Sequence, residues 1–345
     1  VKVVIISPSG ALYGSEQVLL DFLNASRHQY DIGLCREGQL FELLGDRKRY
    51  KLLPFTNKYL PVFYIRFFFL LLLRRYSTVY WNEAGHSKYA LLLARVFKKT
   101  NFIVHVRIIE DVSPSRWPII PSKNLTLISI SKFIQSALHF DSTLIYDPFF
   151  FSKSVLKNRP LRDCLKIGVI GRITFSKGIN KLVSLLNILT KRGLTDRYQF
   201  LLYGDISEDV RKEAEVLKNL QQAPNVKFQG FCNDKDKLYQ SIDLVLHLNE
   251  LEPLGRIYLE ALDAQVPLIG FNTGGIGEIG KNVGLMEWLI PVEVGEPGLK
   301  ILDALEQLRN DWPNVASKIH SARKRAAVVF SGADYIAKIE NLLFK

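Results

Sequence analysis

The sequence predicts an α/β protein of two doubly wound, Rossmann-like domains, and three observations carry that prediction. At 345 residues the chain is too long for one ordinary domain and suits two of about 150–200 residues, each able to bury its own core. Short β-rich runs alternate with helical stretches, the rhythm of βαβ units around a parallel sheet. That rhythm breaks at a polar, Pro-containing stretch from Lys157 to Asp163 and then restarts, which places the domain boundary there.

In the first half, strands are expected at Val3 to Ile6, Thr78 to Trp81, Asn101 to Arg107, Leu125 to Ile130 and Thr143 to Tyr146. Helices are expected at Ser15 to Ala25, Ser87 to Lys98 and Lys132 to His139. After the boundary, strands are expected at Leu165 to Ile170, Gln199 to Tyr203, Val226 to Gln229, Leu244 to His247 and Pro267 to Phe271. These runs are continuously apolar and do not alternate, as in central strands covered by helices on both faces. Ligands of such sheets bind beyond the carboxyl ends of the strands, so the residues just after each strand are the informative ones.

Composition narrows the function classes. Apolar residues make up 48% and charged residues 23%, with no low-complexity tract, which excludes a disordered chain. Cys35, Cys164 and Cys232 are odd in number and widely spaced, so neither a disulfide framework nor a zinc site is expected, and a reducing cytoplasm fits them. The chain opens directly on Val3 to Ile6 with no basic leader ahead of it, so secretion is not expected. Of the net charge of +12, residues 1–160 carry +11, with 22 Lys/Arg against 11 Asp/Glu. The first domain therefore faces something anionic: nucleic acid, an acidic membrane surface or a phosphate-bearing substrate. No helix-turn-helix or RNP-type element accompanies the charge, so nucleic acid is set aside.

From Tyr59 to Arg75 the sequence reads YLPVFYIRFFFLLLLRR, shorter than the roughly 20 apolar residues needed to span a bilayer. Two readings stay open: a core helix packed on a sheet, or a helix whose aromatic and basic flank dips into an anionic headgroup region. Lys48, Arg49, Lys51 and Lys58 lie just upstream and favour the second.

Two loops could carry chemistry. Gly171-Arg172-Ile173-Thr174-Phe175-Ser176-Lys177-Gly178 follows a strand and precedes a helix. Arg172 and Lys177 there suit a diphosphate, unless both are ordinary solvated cations. After Leu244 to His247 comes Leu248 to Leu262, in which Pro253 suits a first helical position. That would leave Glu252 at the cap and Glu260 two turns inside the helix. Eight helical residues rise about 12 Å, so the two carboxylates would hold separate ends of one extended ligand and not flank one glycosidic bond as a hydrolytic pair.

Glu252-Pro253-Leu254-Gly255-Arg256-Ile257-Tyr258-Leu259-Glu260 resembles the E-x7-E element of retaining GT-B glycosyltransferases of group 1, usually classed as family 4. Other pieces stand in the family's order. Ser7 to Gly10 through Gly14-Ser15-Glu16 is similar to its Gly-rich loop and helix start, and the Arg172 to Gly178 loop to its diphosphate loop. Val226 to Asp243 (VKFQGFCNDKDKLYQSID) and Pro267 to Ile279 (PLIGFNTGGIGEI) resemble the segments on either side of E-x7-E. The resemblance covers most of residues 160–290 well and the N-terminal half loosely.

The resemblance implies a GT-B fold, two doubly wound domains facing across a cleft. Residues 1–160 would bind the acceptor, residues 161–330 the nucleotide-sugar, and a helix over residues 331–345 would pack back toward the first domain. Arg172 and Lys177 would neutralise the donor diphosphate, Glu252 would face the donor sugar, and Glu260 would bind the ribose. The N–H groups of Leu254 and Gly255 would contact sugar or phosphate. Gly14 would permit close approach to the donor, His105 would stand at the cleft, and Gly230 to Cys232 would lie near the base. No metal and no other cofactor is implied; the nucleotide-sugar, a UDP-sugar by preference, is a substrate. The acceptor would be a saccharide or lipid-linked, in cell-surface polysaccharide or glycoconjugate synthesis, with the protein peripheral at the inner membrane face. Leu248-Asn249 and Gln265 depart from the family's usual Pro-Ser and Gly, which blurs the donor sugar more than the fold.

Two decoys are set aside. Asp234-Lys235-Asp236 has the letters of a D-x-D metal site but precedes an amphipathic helix, so a helix cap is expected. Gly275 to Gly280 has the letters G-x-G-x-x-G but lies late in the chain with no ribose-binding acid about 20 residues on, against a dehydrogenase. Two rivals keep the architecture and change the activity: a nucleotide-sugar epimerase and a catalytically idle subunit of a membrane complex.

Overall fold

The computed structural model describes residues 1–12, 14–45, 50–53, 60–152, 159–292 and 295–345. Contacts divide the chain into one unit of Val1–Pro148 with Phe330–Lys345 and a second of Phe149–Val329. Lys48, Arg49, Lys58 and Tyr59, singled out in the sequence, lie outside the described residues, as do Lys157 and Asn158 of the expected boundary.

The first unit runs β1 (Val3–Ser7), α1 (Gly14–Ala25), β2 (Tyr30–Leu34), α2 (Gln39–Gly45), β3 (Tyr50–Leu52), α3 (Leu60–Arg74) and β4 (Thr78–Trp81). It continues through α4 (Ser87–Val96), β5 (Asn101–Val106), β6 (Leu125–Ser129), α5 (Lys132–Ala137) and β7 (Thr143–Leu144). Its sheet has the order β3-β2-β1-β4-β5-β6-β7 with every pairing parallel. All five β1 residues and all four β4 residues are buried, as strands covered on both faces must be. The strands expected from the sequence are present, with β7 shorter than expected. β2 and β3 were not anticipated.

The second unit runs β8 (Leu165–Ile170), α6 (Ile179–Lys191), β9 (Tyr198–Tyr203), α7 (Glu208–Lys212), α8 (Ala214–Gln222), β10 (Val226–Gly230) and α9 (Lys235–Ser241). It continues through β11 (Leu244–His247), α10 (Arg256–Asp263), β12 (Leu268–Phe271), α11 (Gly274–Val283), β13 (Leu289–Ile290), α12 (Pro297–Asn310) and α13 (Trp312–Val329). The sheet order is β10-β9-β8-β11-β12-β13, again all parallel. Strand order reverses between β8 and β11, and the loops after those two strands open the crevice where such sheets bind ligands.

The unit boundary falls before Phe149, earlier than the sequence boundary at 160/161. Side chains of the second unit hold the intervening segment. Asp263 Oδ1 accepts from the Ser152 N–H at 3.0 Å, and the Arg256 and Arg323 guanidinium groups lie over the Phe149 and Phe151 rings at 5.8 and 5.3 Å. Arg159 donates to the carbonyls of Ile242 and Tyr239 at 2.7 and 3.1 Å.

The last helix, α14 (Gly332–Leu343), belongs to the first unit. Tyr335, Ile339 and Leu343 enter the core cluster built on Val3, Ile5, Leu19 and Phe22, with the Tyr335 ring edge-on to Phe22 at 6.3 Å. The Gly275 to Gly280 run lies inside α11, a helix interior and not a dinucleotide turn.

Candidate functional site

The β8 loop is shaped by two local devices. Thr174 Oγ1 accepts from the Lys177 N–H at 3.0 Å, closing one short helical turn over Phe175–Lys177. Gly178 then adopts φ 83°, and a Cβ there would lie 2.3 Å from the Leu248 carbonyl oxygen. Glycine is therefore what lets the β8 loop touch the β11 loop.

That contact brings Lys177 to Glu252: Nζ donates to Oε2 at 3.0 Å. Asn249 Nδ2 donates to the same oxygen at 2.7 Å, and His247 Nε2 lies 3.5 Å from it. Burial alone would raise the Glu252 carboxyl, but His247 and Lys177 outweigh it and hold the group well below the usual carboxylate range. Glu252 is thus a fixed anion. Arg172 is exposed on the same rim and forms no ion pair among the described residues.

The helix after Glu252 starts later than expected. Pro253 is not a first helical residue; α10 begins at Arg256, capped by Gly255 at φ 88°. A Cβ on Gly255 would meet Ile276 Cδ1 at 2.6 Å, so the left-handed turn is packed against α11 and overrides the proline preference. Glu252 consequently sits in the loop, held also by its own carbonyl, which accepts from the Gly275 N–H at 2.7 Å. Among the described residues the N–H groups of Leu254 and Gly255 donate to no protein acceptor. Two vacant donors in a turn that enters a helix suit an anion or a hydroxyl.

Glu260 lies in the second turn of α10 and engages other partners: Lys235 Nζ at 2.6 Å and the Tyr239 hydroxyl at 3.2 Å, both from α9. The two glutamates therefore engage different partners, and helical rise does not set their separation. Gly230 ends β10 at φ 68°, and Cys232 follows in a loop where its thiol donates to the Asp234 carbonyl. Between them Phe231 is 73% exposed. Asp234 caps α9, its carboxylate accepting from the Lys237 N–H at 2.9 Å, the helix-cap reading of the D-x-D letters.

Gly14 and His105 belong to the first unit. Gly14 heads α1 with open space where a Cβ would stand. His105, expected at the cleft, is fully buried in this structure. Its Nδ1 accepts from the Tyr80 hydroxyl at 2.8 Å and lies 3.1 Å from Arg107 Nη2. Burial, then the Arg107 charge, hold the imidazole neutral, well below its usual pKa. Arg107 itself pairs with Asp147 and reaches the Tyr335 hydroxyl of α14 at 3.3 Å, so this network docks the C-terminal helix.

The sequence did not single out several residues. His247 is the last residue of β11, the position the strand-end rule points to, and Asn249 appeared only as a departure from the family pattern. In the first unit Glu16, Glu83 and Asp111 follow the adjacent strands β1, β4 and β5. The Ser15 hydroxyl lies within hydrogen-bond reach of both the Glu16 and the Glu83 carboxyl groups. Burial pushes Asp111 up to about 7 against the opposing charge of Arg116, with Glu83 adding to the rise.

Residues 157–312 match the family described as glycosyl transferases group 1. An uncharacterized 42.6 kDa protein of the Klebsiella pneumoniae cps region is 27% identical over 215 residues, 56% of this chain and 55% of that protein. The Staphylococcus aureus capsular polysaccharide biosynthesis glycosyltransferase CapM is 27% identical over 183 residues, 53% of this chain and 46% of CapM. The chain thus spans about half the length of the curated relatives it matches. The structure of Anabaena Alr3699/HepE in complex with UDP and glucose matches with a TM-score of 0.77 at 19% identity, covering 100% of this chain and 99% of that one. At that identity the likeness is one of fold, and it identifies the two doubly wound sheets as the GT-B pattern. Through residues 157–312, the chain is similar to the group 1 glycosyl transferases.

Proposed function

We propose that the protein is a retaining glycosyltransferase that moves a sugar from a UDP-sugar to a saccharide or lipid-linked acceptor, in capsule or related polysaccharide synthesis. The observation that carries the reading is the convergence of Lys177, Asn249 and His247 on Glu252 at the β8/β11 crevice, beside Arg172 and the vacant Leu254 and Gly255 N–H groups. Arg172 and Lys177 hold the diphosphate, Glu252 faces the sugar, Glu260 takes the ribose once Lys235 yields, and Gly230 to Cys232 border the base. The UDP and glucose bound by HepE and the capsular role in CapM's name support the donor and the pathway class.

The acceptor hydroxyl attacks from the side the nucleotide leaves, and a donor phosphate oxygen takes its proton. The protein contributes fixed charge and N–H donors aimed at the leaving diphosphate, and its cations do the work a metal would otherwise do. The acceptor meets the basic first unit at the cytoplasmic face of an anionic membrane.

Incubation with isotope-labelled UDP-sugars in EDTA, followed by NMR, tests this. The expected product keeps the donor's anomeric configuration, transferred to added saccharide or slowly to water. An inverted product would refute retention. A changed sugar still attached to UDP, with no acceptor present, would identify the epimerase.

A further inference from the structure

The outward side of α3 is apolar where a surface helix is ordinarily polar. Phe63, Tyr64, Phe67, Leu70 and Leu71 already fill its inner side, with Phe67 edge-on to Trp81 at 6.1 Å. Yet Ile65, Phe69, Leu72 and Leu73 are 58%, 57%, 52% and 82% exposed. With Val62 and Arg66 they recur at helical spacing, so they form one continuous stripe along the helix.

α4 extends this surface. Tyr64 stacks on Tyr89 with centroids 3.9 Å apart, and Phe68 meets Phe97 at 5.3 Å, so the two helices lie side by side. Lys88, Leu92, Arg95 and Val96 form the outward stripe of α4, Leu92 and Val96 being 58% and 60% exposed. Arg95 donates to the Ile120 carbonyl at 3.1 Å, which brings Ile120, 72% exposed, to the edge of the same patch.

Charge selects the occupant. Residues 60–75 and 87–100 contain no Asp or Glu. Arg66, Arg75, Lys88, Lys98 and Lys99 form no ion pair among the described residues. We propose that the outward faces of α3 and α4 form one docking surface for an anionic lipid bilayer, with the apolar stripe entering the acyl boundary and the cations meeting headgroup phosphates. α3 has 15 residues, too short to span, so it lies in the plane of the interface. A second copy of the chain fits poorly, because a two-fold contact would set these cations against one another. The inference localises the membrane contact of the proposed function without depending on the donor chemistry.

The test is flotation of the full chain with phosphatidylglycerol-containing and with pure phosphatidylcholine vesicles, alongside calorimetric UDP binding and sedimentation velocity. The expected result is salt-sensitive binding to the anionic vesicles alone. I65E/F69E should lower partitioning at least tenfold, and R66E/K88E should abolish the anionic preference, each with wild-type UDP affinity and circular dichroism. Equal binding to both vesicle types, none to either, or unchanged flotation of I65E/F69E would overturn the proposal. A dimer that I65E/F69E dissociates would instead assign the surface to a second copy. Loss of UDP binding in the wild type would count against the donor reading and leave the flotation result standing.

Discussion

Glu252 Oε2 accepts from both Lys177 and Asn249, with His247 Nε2 3.5 Å away. With Lys177 and Asn249 donating to one oxygen, the carboxylate is restrained, which in the proposed function would leave its other oxygen for a sugar hydroxyl. Asn249 stands where the family usually has Ser. Its amide N–H donates to Glu252, while its Oδ1 accepts from the Leu251 N–H at 3.1 Å and shapes the loop. Asp111 shows the opposite electrostatics. Its folded pKa is raised to about 7 by burial, opposed by Arg116 and assisted by Glu83 and Glu110, so the native state binds the proton more tightly than the unfolded chain. Stability therefore falls as pH rises from about 4 through 7, at a cost of up to about 4 kcal/mol once the group is ionised. Asp111→Asn should raise the Tm of the first unit more at pH 8 than at pH 5; an equal change at both pH values would show that Asp111 is ionised throughout.

At the scale of elements, the site depends on two loops being able to touch. Gly178 holds φ 83° against the Leu248 carbonyl, so Gly178→Ala both strains the backbone and drives the loops apart. The expected cost is about 1–3 kcal/mol, with loss of UDP binding while the second unit stays folded by circular dichroism. UDP affinity within twofold of wild type would show that the loop contact does not set the site. The same loops show what a sequence can and cannot disclose. β8, β11, Arg172, Lys177 and Glu252 were legible because apolar runs end at polar loops with unusual charge. The start of α10 was misplaced because Pro253 fits a first helical position by local preference, whereas Gly255 packs against Ile276 from a different element. β2 carries Asp31 and Gly33 within five residues, and β13 spans only Leu289–Ile290, so neither gives a continuous apolar run.

At the scale of the whole molecule, each unit has its own parallel sheet, and the chain returns to the first through α14. His105 belongs to the buried network that receives that helix. Its neutrality there follows from a desolvated site already holding Arg107. No spacing pattern could have shown this, because Tyr80, Asp147 and Tyr335 meet it only through the tertiary fold. The basic excess of the first half similarly acquires meaning from placement: α3 and α4 carry cations without acids around exposed apolar residues, while Arg172 and Lys177, proposed to hold the diphosphate, lie in the second unit.

The central claim is a UDP-sugar site at the β8/β11 crevice, and calorimetric titration of UDP, GDP and ADP in EDTA tests it most directly, repeated with Lys177→Ala. Micromolar binding of UDP in preference to the others, weakened at least tenfold by Lys177→Ala, is the result predicted. Absence of binding by any of the three, or UDP binding indifferent to Lys177, would contradict the account.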